Sequence, residues 1–398
     1  MQNREYKKIY ITNKGETELK GGHPWIYEGE IKSIDGSILD GSLVDVSDDK
    51  NKYLGTGFYN SNSKIRVRVI SRNANDTFDE EFYKRRISYA IDYRKNVMDN
   101  LDNARLIFGE ADGFPGLTVD KFNNILVTEV LCLGIEQRKD IIYNALIEVL
   151  KENGIEIDGI YERNESPIRE LEGMDKYKGW YKETLECTNT IIIENDIKFN
   201  VDFENGQKTG FFLDQKYNRL LVKKLAKNKK VLDCCTHTGA FAMNAYLGGA
   251  TSVTALDISE KAIEDSSNNF KLNNMKINTV CDDAFKYLEK LAPKTYDFII
   301  LDPPAFTKSR KTISNALKGY KELNYLALKA LPRGGYLATA SCSHFATEEM
   351  FKHEIYEAGL QAGVTLRLIS ATGPSPDHPE VLGIPETKYL KFFIFQVV

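Results

Sequence analysis

Beyond about residue 228 the chain alternates short apolar runs with amphipathic stretches, and this rhythm restricts its fold more than any other feature. The runs Lys230–Cys234, Ser252–Asp257, Ile277–Val280, Phe298–Asp302, Gly335–Ala340, Thr365–Ser370 and Tyr389–Val397 read as strands. Helical stretches of roughly 10 to 20 residues separate them. Such an alternation is satisfied by a mostly parallel, doubly wound sheet with helices on both faces, because parallel crossovers need a helix and the strands between them are buried on both sides. An α/β fold with a seven-stranded sheet is therefore expected over 186–398, entered through a strand pair near Thr190–Asp202 that turns at Asn195-Asp196.

The first 185 residues have a different texture. Residues 1–72 read as short strands, Lys7–Thr12, Ser42–Val46, Gly55–Tyr59 and Lys64–Ile70, broken by Gly21-Gly22 and Asp40-Gly41, as in a small β-barrel. In the last strand Lys64, Arg66 and Arg68 alternate with Ile65, Val67 and Val69, so the period of two sets cations on one face and aliphatics on the other. With Arg72 they form a basic stripe, open to two readings: an RNA contact or the solvated outer face of an edge strand. Residues 73–185 read as a compact α+β piece: a helix Phe78–Met98, strands Arg105–Phe108 and Leu117–Val130 with a turn at Asn123-Asn124, a helix Gln137–Asn153 and a strand Gly159–Arg163. The segment Gly109–Gly116 is most simply a tight loop.

Composition excludes several classes of function. With 42% hydrophobic and 28% charged residues each piece can bury an ordinary core. No apolar run approaches the roughly 18 residues of a membrane helix, and the start MQNREYKK has no signal-type apolar stretch, so no membrane partner and a cytoplasmic location are expected. The six cysteines form no C-x-x-C pair and the five histidines add no ligand cluster, so neither a disulfide framework nor a metal site is indicated. A net charge of −4 argues against non-specific coating of nucleic acid while leaving local basic patches free to hold a phosphate backbone.

In a doubly wound sheet, ligands sit beyond the carboxyl ends of the strands. There the chain offers Gly239 at the start of a helix, Asp257 at the end of the second strand and Asp283 after the third. Gly239 lets a ligand approach backbone, and Asp257 can accept hydrogen bonds from two ribose hydroxyls; helix capping is the plain alternative for the aspartates. A dinucleotide would call for G-x-G-x-x-G, whereas positions 235–240 read Cys-Thr-His-Thr-Gly-Ala. That favours S-adenosylmethionine, which has no pyrophosphate. Asp233 through Gly239, Asp257, Asp283 and Asp302-Pro303-Pro304, in this order, make the carboxyl half resemble the class I S-adenosylmethionine-dependent methyltransferases, with a Rossmann-like domain.

Two strand ends then suggest chemistry. Asp302 is locked by two following prolines and can meet the polar edge of a base. Cys342 ends the fifth strand between Ser341 and Ser343; a buried small hydrophobe is the plain reading, a nucleophile favoured by nearby positive charge the functional one. Carbon 5 of a pyrimidine is too weak a nucleophile to take a methyl group until a thiolate has added to carbon 6. GGHPWIYEGEI at 21–31, GEADGFPGLTVD at 109–120, GQKTGFFLDQKYNR at 206–219, DPPAF at 302–306, GYKELN at 319–324 and SCSHF at 341–345 together resemble the PUA-domain-containing ribosomal RNA cytosine-C5 methyltransferases of the large subunit. The resemblance implies a PUA-like RNA-binding barrel over 1–72, a middle domain over 73–185 and a catalytic domain over 186–398. It implies a cofactor pocket of Lys208, Thr209, Phe211, Asp233, Gly239, Asp257, Asp283 and Asp302, with Cys342 as nucleophile and ribosomal RNA as partner; a homodimer is compatible with it. Pro304 stands where many RNA 5-methylcytosine enzymes carry a second cysteine, so Asp302 or a water must assist loss of the carbon 5 proton. Lys308, Arg310 and Lys311 beside the pocket are a second basic surface. An RNA base N-methyltransferase and a catalytically silent RNA-binding assembly factor are the competing functions.

Overall fold

The computed structural model describes residues 5–182, 184–307 and 309–398. The chain divides into two compact units: Met1–Thr190, Val201–Leu213 and Pro376–Thr387 form the first, and Ile191–Asn200, Asp214–Ser375 and Lys388–Val398 the second.

In the first unit β1 (Lys7–Ile11), β2 (Trp25–Tyr27), β3 (Ile31–Ile34), β4 (Leu43–Ser47), β5 (Tyr53–Tyr59) and β6 (Ile65–Ser71) form one sheet in the order β2-β6-β5-β4-β1-β3. Alternate residues Ile9, Ile11, Val44, Val46, Val67 and Val69 enter one core with Leu19 and Ile26. The period-two reading of β6 is thus right about its aliphatic face and wrong about the other one. β6 lies between β2 and β5, and Arg68 on its far face is 7% exposed, paired to Glu110 at 3.2 Å and Glu172 at 3.0 Å. A guanidinium so enclosed is not available to RNA, so Arg68 leaves the proposed stripe. Arg66 is half-buried and bound to Glu28 at 2.5 Å, while Lys64 and Arg72 are exposed.

A second sheet in this unit, β7 (Asn103–Phe108), β8 (Leu117–Phe122), β9 (Ile125–Val130), β10 (Gly159–Asn164) and β11 (Tyr177–Trp180), has the order β11-β10-β9-β8-β7. The helices Glu80–Val97 and Lys139–Glu152 pack together; the first is capped by Asp79, which accepts the Phe82 N–H at 3.1 Å. The two pieces expected over 1–72 and 73–185 therefore keep separate sheets within one compact unit. The acidic loop after β7 has a structural use: Glu110 accepts the Trp25 indole N–H at 2.8 Å, and Asp112 binds Arg94 bidentately at 2.6 and 2.7 Å.

The hairpin β12 (Asn189–Glu194) and β13 (Ile197–Asp202) turns at Asn195 and Asp196, both in the left-handed region. The second unit then builds β14 (Lys230–Cys234), β15 (Ser252–Asp257), β16 (Asn278–Cys281), β17 (Phe298–Leu301), β18 (Tyr336–Ser341), β19 (Leu366–Thr372) and β20 (Lys391–Val397) into a sheet of order β16-β15-β14-β17-β18-β20-β19. β14 to β18 are parallel, and β20 is antiparallel to both its neighbours. Strand order reverses between β14 and β17, which sets the crevice where such a sheet binds ligands. No helix among the described residues is long and apolar enough to cross a membrane.

Candidate active site

The loop after β14 is held under backbone strain. Cys235, His237 and Gly239 have φ of 61°, 51° and 80°, a left-handed region that costs a side chain about 1 kcal/mol and that persists where the surroundings impose it. Glycine is required at 239 twice over, since a Cβ there would also lie 2.4 Å from Phe270 Cε1. Asp233 shapes this loop from below: fully buried, it accepts the Thr236 hydroxyl at 2.6 Å and the Ala242 N–H at 3.0 Å, and burial pushes its carboxyl up to about 7. With no surface of its own, Asp233 is corrected from a cofactor contact to a residue that sets the loop.

Asp257 ends β15 half-exposed, with one oxygen accepting the His237 N–H and the other the Ser259 N–H, each at 3.0 Å. Each carboxylate oxygen keeps a lone pair for a further donor, the requirement for binding a pair of ribose hydroxyls. Asp283 caps the helix Ala284–Lys290 through the Lys286 N–H at 3.0 Å and also lines a cavity of about 140 Å³ with Asp257, Ile258, Phe285, Pro303, Pro304 and Phe306. A lining that combines carboxylates with aromatic and proline surfaces fits an adenosine-bearing group.

Asp302 is the first residue past β17 and Cys342 the first past the adjacent β18. Asp302 accepts from Gln215 Nε2 at 3.1 Å; the buried Gln215 accepts in turn from Asn218 at 2.6 Å, and Asn218 accepts from Thr372 at 2.8 Å. Cys342 is half-buried. The next residue, Ser343, is fixed by the Tyr320 hydroxyl at 2.8 Å and, through its carbonyl, by the buried Lys391 ammonium at 2.7 Å. Sequence reading misses Gln215 and Lys391. Gln215 lies inside the 206–219 motif, but nothing local marks it, and Lys391 looks like any strand-edge lysine until β20 pairs with β18.

The remaining expected residues are elsewhere. Lys208, Thr209 and Phe211 belong to the first unit. Lys208 lies over the Phe212 ring at 4.3 Å. The Thr209 hydroxyl is committed to Asp120 at 2.5 Å, and Asp120 also binds Arg105; Phe211 is buried. The Thr209 hydroxyl and the Phe211 ring thus anchor their loop within the first unit. Lys308 and the Arg310 side chain lie outside the described residues, and Lys311 is exposed. Arg72 opens on a first-unit groove of about 830 Å³ lined also by Arg85, Arg86, Tyr89 and Tyr93. Among the described residues no cluster of metal-ligating side chains occurs.

Residues 9–72 match the PUA-like domain family and residues 175–390 the S-adenosylmethionine-dependent methyltransferase family. A Klebsiella pneumoniae protein named ribosomal RNA large subunit methyltransferase I is 34% identical over 400 residues, covering 99% of each chain. A solved Streptococcus mutans chain described as a SAM-dependent methyltransferase aligns with a TM-score of 0.81 at 24% identity, over 98% of this chain and 100% of that one. A solved methyltransferase complexed with SAH aligns at 0.83 and 23% identity over the same shares. These two likenesses bear on the fold, that of a class I methyltransferase.

Proposed function

The chain belongs to the ribosomal RNA large subunit methyltransferase I family and is an S-adenosylmethionine-dependent methyltransferase, and from that premise we propose that it methylates carbon 5 of a cytosine in ribosomal RNA through a covalent bond from Cys342 to carbon 6. The observation that supports this reading most is a cysteine just past β18, beside a carboxylate just past β17 and a buried ammonium on the next strand. When bound, S-adenosylmethionine supplies an electrophilic methyl group. Asp257 would accept from the ribose hydroxyls, Asp283 and Phe285 would take the adenine, and Gly239 would admit the ligand to the strained loop.

The rest is done by the protein's own side chains. The Cys342 thiolate forms a sulfur–carbon 6 bond, and the electron pair displaced from the 5,6 double bond makes carbon 5 the nucleophile that accepts the methyl group. The carbon 5 proton then passes to a base, either Asp302 or a water that it orients, and the C–H electron pair restores the double bond as the thiolate leaves. Gln215 keeps Asp302 turned toward this work. The PUA-like first domain, 1–72, would hold the RNA backbone through Lys64, Arg66 and Arg72, with Lys311 near the pocket.

Labelled S-adenosylmethionine and bare ribosomal RNA, followed by digestion to nucleosides, test the reading. The label should appear in 5-methylcytidine, and Cys342→Ala should lower transfer by about a thousandfold or more while cofactor affinity stays near that of the parent. Label in a base nitrogen, or turnover by Cys342→Ala near that of the parent, would replace the covalent route by direct N-methylation. No transfer to any base by the parent would leave an RNA-binding assembly factor.

A further inference from the structure

Lys391 opens β20 in register with Ser341 of β18, and it is 3% exposed. Its ammonium donates to the carbonyls of Ser343, at 2.7 Å, and Tyr389, at 3.0 Å. Glu348, the carboxylate that acts on it electrostatically, is already paired with Lys352 at 2.6 Å and Lys388 at 3.2 Å. A buried ammonium held by two carbonyls is an expensive placement for a fold to maintain, since a methionine or leucine would fill the same space without desolvating a charge. Burial pulls its pKa down to about 8, and the strongest influence holding it up is Cys342. Each group favours the charged form of the other.

We propose that Lys391 is the positioning residue of the nucleophile: it tethers the loop that carries Cys342 and supplies the positive charge that keeps the thiol ionised. The inference rests on the reading of Cys342 as nucleophile. It accounts for both ends of the reaction, because a cation beside the sulfur raises the thiolate fraction before attack on carbon 6 and favours the same thiolate as leaving group when the carbon–sulfur bond breaks. Titratable groups facing Lys391 and Cys342 include Glu348 on the helix Glu348–Gln361, Lys388 ahead of β20, Tyr320 on the helix Ile313–Ala330 and Asp302 just past the adjacent β17. Glu348 is paired with its two lysines and Tyr320 carries no charge near neutrality, while the Lys391 ammonium opposes the Asp302 carboxylate at the sulfur.

The test is the rate of alkylation by iodoacetamide at Cys342 in the full chain, followed across pH by mass spectrometry of the peptide that contains it. The exposed Cys187 and Cys281 serve as internal references. The parent should show a midpoint below the roughly 8.5 of a free thiol. Lys391→Met should raise it by about one unit and slow alkylation near pH 7 by about tenfold, whereas Lys391→Arg, which keeps the charge, should stay within about twofold of the parent. A midpoint in Lys391→Met equal to that of the parent would overturn the proposal and leave Lys391 a tether only. So would a parent midpoint at or above that of Cys187 and Cys281, a result that needs no variant to fold. Methyl transfer retained by Cys342→Ser would instead sink the nucleophile reading, and the alkylation profile, which needs no turnover, keeps the two failures apart.

Discussion

Asp257 and Asp233 are two carboxylates at the ends of neighbouring strands with opposite environments, and each makes a prediction. Asp257 is half-exposed and its oxygens already accept two backbone N–H groups, an arrangement that keeps its side chain aimed. Asp257→Ala should weaken S-adenosylmethionine binding by about 1 to 3 kcal/mol, the worth of charge-assisted hydrogen bonds to ribose, and titration calorimetry giving an unchanged affinity would remove it from the site. Asp233 is wholly buried, and desolvation holds its proton up to about pH 7. Between about pH 4 and 7 the native chain therefore keeps a proton that the unfolded chain has lost. The stabilisation is complete below the unfolded value and falls as pH rises, by up to about 1.4 kcal/mol per unit for one group. Asp233→Asn keeps an acceptor for the Thr236 hydroxyl and cannot ionise, so urea midpoints should fall less steeply between about pH 5 and 7 than in the parent. Parallel curves would show that Asp233 is ionised throughout.

At the level of the element, β6 shows how a correct periodicity can lead to a wrong surface. Alternation in IRVRVIS assigns side chains to two faces, but it is silent on whether the second face meets water. Here β2 and β5 flank the strand, and Glu110 and Glu172 close over Arg68. Removing one member of a buried ion cluster leaves the others uncompensated, so Arg68→Ala should lower the stability of the first unit by about 3 to 5 kcal/mol. Arg66 pairs with the exposed Glu28, and Arg66→Ala should cost less than about 1 kcal/mol. Chemical denaturation followed through the Trp25 environment, which the Arg68 guanidinium approaches at 5.5 Å, reports both. Equal midpoints for the two variants would return Arg68 to the surface.

For the molecule as a whole, an acidic chain with a net charge of −4 must bind a polyanion through local cations. With Arg68 withdrawn, the first-unit candidates are Lys64 and Arg72, both exposed, and the half-buried Arg66, which is paired with Glu28. Each cation removed from a phosphate-binding surface should flatten the slope of log affinity against log salt by roughly 0.7 to 0.9, so the double variant Lys64→Ala, Arg72→Ala should reduce that slope by about 1.4 to 1.8. Cofactor affinity should stay as in the parent. An unchanged slope would move the RNA surface to Lys311 or to the groove of Arg85, Arg86, Tyr89 and Tyr93.

Local pattern was enough to read the seven strands of the catalytic sheet and the polar residues that end them, because strand periodicity and the position of a ligand crevice depend on residues close together in the chain. The positions of Gly239, Asp257, Asp302 and Cys342 at or just past strand ends were legible for that reason. What the sequence could not carry was how distant segments cover one another. β20 inserts antiparallel between β18 and β19, which brings Lys391 into register with Ser341 and buries its ammonium against the Cys342 loop. The segment at 213–218 brings Gln215 to Asp302, and Thr209 spends its hydroxyl on Asp120. Arg68 reads as a surface cation until two carboxylates from later in the chain enclose it. In each case the charge state and role of the side chain come from long-range pairing and desolvation, which only the folded chain sets.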